Sequence, residues 1–109
     1  MNTTMSTTRQ ALIIDSAEVV ASRLHHMLNE LNCFENIAIA DNYSEAMQEI
    51  DAHHPDVILL DIQLPDNKGI ALLRRIKEYH PSLKVIVLTN KSGENYRSLC
   101  EQIGSDHFI

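Results

Sequence analysis

Three oxygen-bearing side chains each follow a short apolar run directly: Asp15, Asp61 and Thr89. Such runs are too short to cross a membrane, and their branched residues are typical of a strand buried on both faces. The carboxyl ends of parallel strands face the crevice in which open α/β sheets bind their ligands. We therefore expect the three side chains to share one crevice, where they can bind a divalent cation and take part in phosphoryl transfer.

Each of these groups fits one requirement of phosphoryl transfer, which needs a nucleophile, charge neutralisation and in-line positioning. Asp61 can be the nucleophile, since carboxylates form acyl-phosphate intermediates. Thr89 can donate a hydrogen bond to a phosphoryl oxygen. Asp15, Asp61 and the backbone carbonyl of Gln63 offer the oxygen ligands that Mg²⁺ prefers. Taken singly, a strand-end aspartate is often only a helix cap and a strand-end threonine only a turn residue, so that alternative stays open for each.

Helical patterns separate the apolar runs. After the first run, apolar residues recur at intervals of four, four and three, which predicts a helix whose stripe faces the sheet. This stripe consists of Val20, Leu24, Leu28 and Leu31. Residues 37–40 form a weaker strand signal, and cap residues then begin a second helix. Alternating strands and helices predict an α/β fold with a parallel sheet covered on both faces.

Two residues extend the pattern after Asp61. Pro65 and Gly69 follow it at offsets of four and eight, which predicts a turn over the strand end before the next helix begins. With these offsets, the segment resembles the phosphorylation site of the response-regulator receiver domain, and the resemblance covers residues 9–109. It implies a flavodoxin-like three-layer sandwich with strand order 2-1-3-4-5. It also implies that Asp61 is phosphorylated, with Thr89 and Phe108 as switch residues.

The sequence departs from the family pattern after the first strand. The family usually carries two adjacent acids there, and the second generally contacts the metal, whereas this chain has Ser16. A hydroxyl is a poorer Mg²⁺ ligand than a carboxylate, so we expect weak Mg²⁺ binding.

The sequence also departs from the pattern at its end. The family's phosphoryl-pairing lysine would fall two positions beyond Ile109, so the last strand and last helix are expected to be incomplete. We expect the receiver domain to occupy residues 9–109 with its C-terminal part missing, and the polar residues 1–8 to be a disordered lead-in. Either the chain is a fragment of a longer one, or a homodimer covers the exposed apolar face.

Two functions compete. The first is a signalling switch that accepts a phosphoryl group on Asp61 from a sensor histidine kinase or phosphotransfer protein and changes the surface seen by a downstream output protein. Its enzymatic activity is at most self-catalysed phosphoryl transfer to Asp61 and hydrolysis from it. The alternative is a pseudo-receiver, a protein-binding module that works without phosphorylation because Ser16 replaces an acid and the lysine is absent.

Composition excludes several other classes. The net charge of −6 over 109 residues argues against direct nucleic-acid binding, which requires a basic patch. Cys33 and Cys100 have no metal-type spacing and are expected to be reduced, buried thiols. A signal peptide and a membrane-length apolar run are both lacking, so we expect a cytoplasmic protein that does not bind a membrane.

Overall fold

The computed structural model describes residues 9–88 and the short strand His107–Phe108. The predicted lead-in 1–8, Thr89 and Cys100 lie outside these residues. In chain order the elements are β1 (Gln10–Ile14), α1 (Glu18–Glu30), β2 (Asn36–Ala40), α2 (Tyr43–His53), β3 (Val57–Asp61), a 3-10 turn (Pro65–Asn67), α3 (Lys68–Tyr79), β4 (Lys84–Leu88) and β5 (His107–Phe108).

The strands form one parallel sheet. Its order is β2-β1-β3-β4-β5, and each neighbouring pair is parallel. The predicted strand order and α/β class are therefore confirmed. The most apolar runs, β1 and β3, lie inside the sheet because a strand covered by helices on both faces needs apolar residues at consecutive positions.

The larger core lies between the sheet and the two helices α2 and α3. Alternate residues of the inner strands point to this face, as the two-residue period of a strand requires. Its fully buried members include Leu12, Ile14, Ile58, Leu60, Val85 and Val87 from the strands, with Ile50, Leu72, Leu73 and Ile76 from the helices. This layer holds the carboxyl ends of β1 and β3 in place.

Helix α1 covers the opposite face less completely than its sequence predicts. Val20 and Leu31, the two ends of the predicted stripe, are 45% and 62% exposed, so that part of the prediction is wrong. The buried residue of α1 is Ala21, with Leu24 and Leu28 half-buried beside it. A small side chain at this position lets the helix approach the sheet, and the stripe is turned partly toward solvent.

The sequence predicts that the thiols are buried. Cys33 is a free thiol exposed in the segment between α1 and β2, so the prediction of a buried side chain is wrong at this position. The side chain of Cys33 is exposed, although a thiol is apolar, because this segment lies at the surface, where connections normally run.

Among the described residues, no helix combines the length and apolar character needed to span a bilayer.

Candidate functional site

The two predicted carboxylates lie at the same edge of the sheet. Ile14 of β1 pairs with Leu60 of β3, so Asp15 and Asp61 each stand one position beyond that pair. The Asp15 N–H donates to the Ala40 carbonyl oxygen at 3.0 Å, which extends the β1–β2 pairing through Asp15. Asp15 is only 4% exposed, whereas Asp61 is half-buried. Parallel pairing thus places one carboxylate deep in the crevice and the other nearer its surface.

Backbone amides orient both carboxylates. Asp15 Oδ1 accepts a hydrogen bond from the Ala17 N–H at 2.8 Å. Asp61 Oδ1 accepts one from the Gln63 N–H at 2.9 Å. In each case the donor lies two residues further along the chain, the pattern of an Asx turn. Each carboxylate therefore has one oxygen held in place by a backbone N–H.

The two carboxylates interact directly. The pKa of Asp15 is raised chiefly because burial penalises its charged form, and the negative charge of Asp61 and a hydrogen bond to Asp61 raise it further. The hydrogen bond from Ala17 acts in the opposite direction. None of the ion pairs among residues 9–88 involves either carboxylate. The crevice thus concentrates negative charge that a cation can neutralise.

This donor set fits a hard divalent cation. Mg²⁺ is commonly bound by one or two carboxylates while it keeps several waters, and Asp15 and Asp61 provide that pair. The residues that the structure describes contain no group of three or more His, Cys, Asp or Glu side chains suited to a metal. The backbone carbonyl of Gln63 is a further oxygen that could serve as a ligand. Ser16 is exposed beside the pair and adds no charge.

The buried carboxyl of Asp15 gives the metal-free protein a specific pH dependence. Because its pKa is raised in the folded state, folded Asp15 holds its proton to higher pH than the unfolded chain does. This contribution to stability is complete below the ordinary value of 3.8 and is lost as pH rises through the raised pKa. We expect Asp15→Asn to flatten this dependence and to raise the unfolding temperature at neutral pH by a few degrees.

Thermal unfolding in EDTA, followed from acidic to neutral pH, measures this effect. The control is Asp66→Asn, an equal change of charge at an exposed position. A lower unfolding temperature for Asp15→Asn than for wild type at neutral pH would contradict the assignment of Asp15 as a destabilising buried acid.

The loop after Asp61 is shaped by a close approach of two backbone segments. A Cβ added to Gly69 would meet the Ile62 carbonyl oxygen and would lie 2.5 Å from its carbonyl carbon. The predicted turn before the helix is confirmed at Pro65, which begins the 3-10 turn, whereas Gly69 lies inside the helix as the second residue of α3. A glycine is required at position 69 because any side chain there would collide with the Ile62 backbone. The left-handed residue of this loop is instead Asp66, with φ of 60°.

The side chain of Gln63 is a feature that the sequence reasoning missed. Only its backbone carbonyl was assigned a role, but its Nε2 is buried and has no hydrogen-bond partner among the described residues. Buried amide donors normally have a partner, so this amide is an unusual feature of the loop after Asp61. The sequence signal that could have indicated the Gln63 side chain was its position two residues after the end of β3.

Of the two remaining predicted site residues, the structure describes only the backbone of Phe108. Asp61 pairs with Leu88, the residue before Thr89, and Thr89 itself lies outside the described residues. Phe108 belongs to β5, where it pairs with Val87. The structure therefore brings Asp15, Asp61 and Gln63 together.

Comparison with known proteins identifies the family. The sequence profile of the response regulator receiver domain matches residues 11–109. The chain belongs to this family. The chain is similar to the sensory transduction protein LytR of Staphylococcus saprophyticus, with 36% identity over 73% of this chain and 32% of the relative. It is also similar to an uncharacterized response regulatory protein of Vibrio cholerae, with 31% identity over 96% of this chain and 40% of the relative.

Solved receiver domains have the same architecture. The signal receiver domain of a DNA-binding response regulator from Colwellia psychrerythraea matches with a TM-score of 0.85 and 25% identity, over 93% of this chain and 84% of that one. A CheX-CheY-BeF3-Mg²⁺ complex from Borrelia burgdorferi matches with a TM-score of 0.84 and 26% identity, over 93% and 76%. The chain spans about a third of the length of the first LytR relative, at 32%.

Members of this family share a general role in signalling. Receiver domains act in two-component signal transduction and interact with histidine kinases or phosphotransfer proteins and with output domains. They generally bind Mg²⁺ for their phosphorylation. The crevice of Asp15 and Asp61 has a donor set compatible with that chemistry.

Proposed function

We propose that Asp61 accepts a phosphoryl group from a sensor histidine kinase or a phosphotransfer protein, and that this receiver domain passes the signal to an output protein. The observation that carries the proposal is the direct interaction of two strand-end carboxylates in one crevice, with Asp61 the more exposed of the two. A nucleophile must reach a donor at the surface, which favours Asp61. Asp15 is too deeply buried for that role.

The transfer requires one bond to break and one to form. The phosphorus–nitrogen bond of a phosphohistidine breaks as a carboxylate oxygen of Asp61 bonds to phosphorus. The electron pair of the broken bond stays on the ring nitrogen, so a ring already protonated on its other nitrogen leaves as neutral imidazole. The Gln63 N–H holds Asp61 Oδ1 at 2.9 Å, so the carboxylate keeps a fixed orientation and its other oxygen attacks. Such pre-positioning lowers the entropic part of the barrier.

Asp15, Asp61 and the Gln63 carbonyl are the ligands that we assign to Mg²⁺. The bound ion would neutralise charge on the carboxylates and on the phosphoryl oxygens. Burial of Asp15 and its repulsion with Asp61 support this assignment because a cation relieves both. Thr89 is the proposed hydrogen-bond donor to a phosphoryl oxygen.

The signal would then spread through Thr89 and Phe108. Phosphorylation adds about −1.5 to −2 charge units, if an acyl phosphate resembles other phosphoryl groups. Thr89 would move toward the new oxygens, and Phe108 on the neighbouring strand β5 would change its packing. This two-state change would alter the surface presented to the output protein.

Labelling with a small acyl-phosphate donor tests the proposal. The intact chain should gain the mass of one phosphoryl group when incubated with the donor and Mg²⁺, and the gain should be slower in EDTA. A chain that gains no mass with Mg²⁺ present would contradict the proposed switch.

Ser16→Asp provides a separate test of the metal site. Ser16 is exposed beside Asp15, so a carboxylate there can add a third charged oxygen ligand. We expect the Mg²⁺ dissociation constant to fall by about tenfold or more, equivalent to about 1.4 kcal/mol. Isothermal titration with Mg²⁺ measures the change, and Ser82→Asp, at an exposed position before β4, is the control. Equal affinities for Ser16→Asp and wild type would mean that position 16 does not face the metal.

The alternative function is a pseudo-receiver that binds a partner without phosphorylation. The neutral Ser16 beside the carboxylate pair favours it, because the position of the family's second acid carries no charge in this chain. A pseudo-receiver should show no saturable Mg²⁺ binding near Asp61. The same titration of wild type therefore separates the two functions.

A further inference from the structure

The outer strand β2 directs part of its backbone away from the sheet. It is the terminal strand, bonded to β1 on one side. The Asn36 N–H and the Ala40 carbonyl oxygen both bond to backbone groups flanking β1, at 3.5 and 3.0 Å. Since successive residues of a parallel strand bond alternately to the two sides, the N–H and C=O groups of Ile37 and Ile39 point outward. Among residues 9–88 and 107–108, no strand pairs with this side.

The β2 edge also lacks the features that normally prevent strand pairing. Natural edge strands are often protected by lysine, proline or a bulge. The β2 sequence is Asn-Ile-Ala-Ile-Ala, and its register with β1 is continuous over all five residues. Ile39 is 43% exposed and Ile37 is half-buried. The edge is therefore suited to pairing with an extended segment of another polypeptide.

Two cavities lie at the ends of the same strand. One, of about 260 Å³, is lined by Ile37 and Ala38 together with the Glu49–His53 pair of α2. The other, of about 550 Å³, is lined by Ile39 and by acidic residues of the neighbouring elements. These acidic residues are Asp15, Glu18, Asp41 and Glu45. The larger cavity therefore places further acidic groups near the Asp41 end of β2.

The charges at the two ends of β2 favour a basic partner segment over a second copy of this chain. Glu35 precedes β2 and Asp41 follows it, and the chain carries a net charge of −6. A second copy paired antiparallel over the full strand, with Ala38 opposite Ala38, would place Glu35 opposite Asp41 at both ends. Like charges directly opposite each other destabilise a strand pair. A partner with basic residues at these positions would be attracted instead.

We propose that the β2 edge docks an extended segment of a partner protein in which apolar residues alternate with polar ones and lysine or arginine lies at each end. The segment adds a strand to the sheet through the outward backbone groups of Ile37 and Ile39. Its basic ends lie near Glu35 and Asp41. Neither cavity lining includes Asp61, although Asp15 lies in the larger of the two.

Amide hydrogen exchange on the full chain tests the proposal. The probe is a short blocked peptide of alternating valine and threonine with lysine at both ends, and the comparison peptide carries glutamate at both ends. At saturation with the lysine peptide, exchange of the Ile37 and Ile39 amides should slow by about tenfold or more, because they become hydrogen-bonded. The glutamate peptide should bind at least about tenfold more weakly.

Three variants separate backbone pairing from charge. Ile39→Pro removes an outward N–H that β1 does not use, so the fold should persist while the peptide no longer binds. If Ile39→Pro unfolds, Ile39→Lys serves instead, since a lysine on the edge repels the basic peptide. Asp41→Asn should weaken binding severalfold, whereas Glu78→Gln, an exposed acid on α3, should leave it unchanged.

Four results would overturn the proposal. The first is equal binding of the two peptides, and the second is unchanged peptide binding by both Ile39 variants. The third is protection of amides elsewhere while Ile37 and Ile39 exchange as before. The fourth is protection of these two amides without peptide that grows with protein concentration, which would identify a second copy of the chain as the occupant.

Discussion

Asp61→Asn should abolish labelling of the chain by a small acyl-phosphate donor in the presence of Mg²⁺. A neutral amide is a far weaker nucleophile than a carboxylate, and it removes one of the two charged ligands assigned to the ion. The asparagine oxygen can still accept the hydrogen bond that Asp61 Oδ1 receives from the Gln63 N–H at 2.9 Å, so the fold should be retained. Intact-protein mass spectrometry before and after incubation measures the result.

The matched control is Asp66→Asn in the same loop. Asp66 is exposed and has a φ of 60°, a conformation that asparagine also tolerates. This variant makes the same chemical change and should be labelled as fully as wild type. Full labelling of Asp61→Asn would place the acceptor at another residue and would contradict the proposed function.

Gly69→Ala should destabilise the fold by about 2–4 kcal/mol, although alanine favours helix over glycine. The added methyl would meet the Ile62 carbonyl oxygen and would lie 2.7 Å from the Ile62 Cα. Both are backbone atoms of the loop that leaves β3, so relief requires α3 or that loop to move. Urea unfolding followed by circular dichroism measures the loss of stability.

Ala71→Gly is the control for Gly69→Ala. Ala71 is exposed two residues further along α3, and its replacement by glycine should cost about 1 kcal/mol through helix propensity alone. The two variants thus change one methyl group in opposite directions, and both should destabilise. Equal or greater stability of Gly69→Ala would show that the loop and helix can separate without cost.

Much of the architecture could be predicted from local patterns. Short runs of branched apolar residues identified β1, β3 and β4, and their alternation with helical patterns predicted the parallel sheet. These predictions succeeded because a strand covered on both faces must be apolar at consecutive positions. The prediction for α1 was less accurate, since Val20 and Leu31 are largely exposed. Periodicity gives the width of an apolar stripe, and packing decides how far the helix is rotated.

Gly69, after the loop that follows Asp61, also shows that a local pattern does not predict how two segments pack. The spacing of Gly69 from Asp61 predicts a turn, but Gly69 lies inside α3. A glycine is required at this position because the Ile62 backbone is close. Asp66 adopts the left-handed conformation, which aspartate tolerates better than most residues. Local propensity describes one chain segment at a time, whereas a close approach depends on two segments.

For the candidate site, the sequence was sufficient to identify the reactive groups and the strand ends that carry them. Asp15, Asp61 and Gln63 could be assigned to one sheet edge because parallel strands end on the same side. The burial of Asp15 with its raised pKa, and the position of Asp61 nearer the surface, became evident from the fold alone. The reason is that burial and electrostatic coupling arise from neighbours brought together across the sheet, and no single stretch of sequence contains both partners.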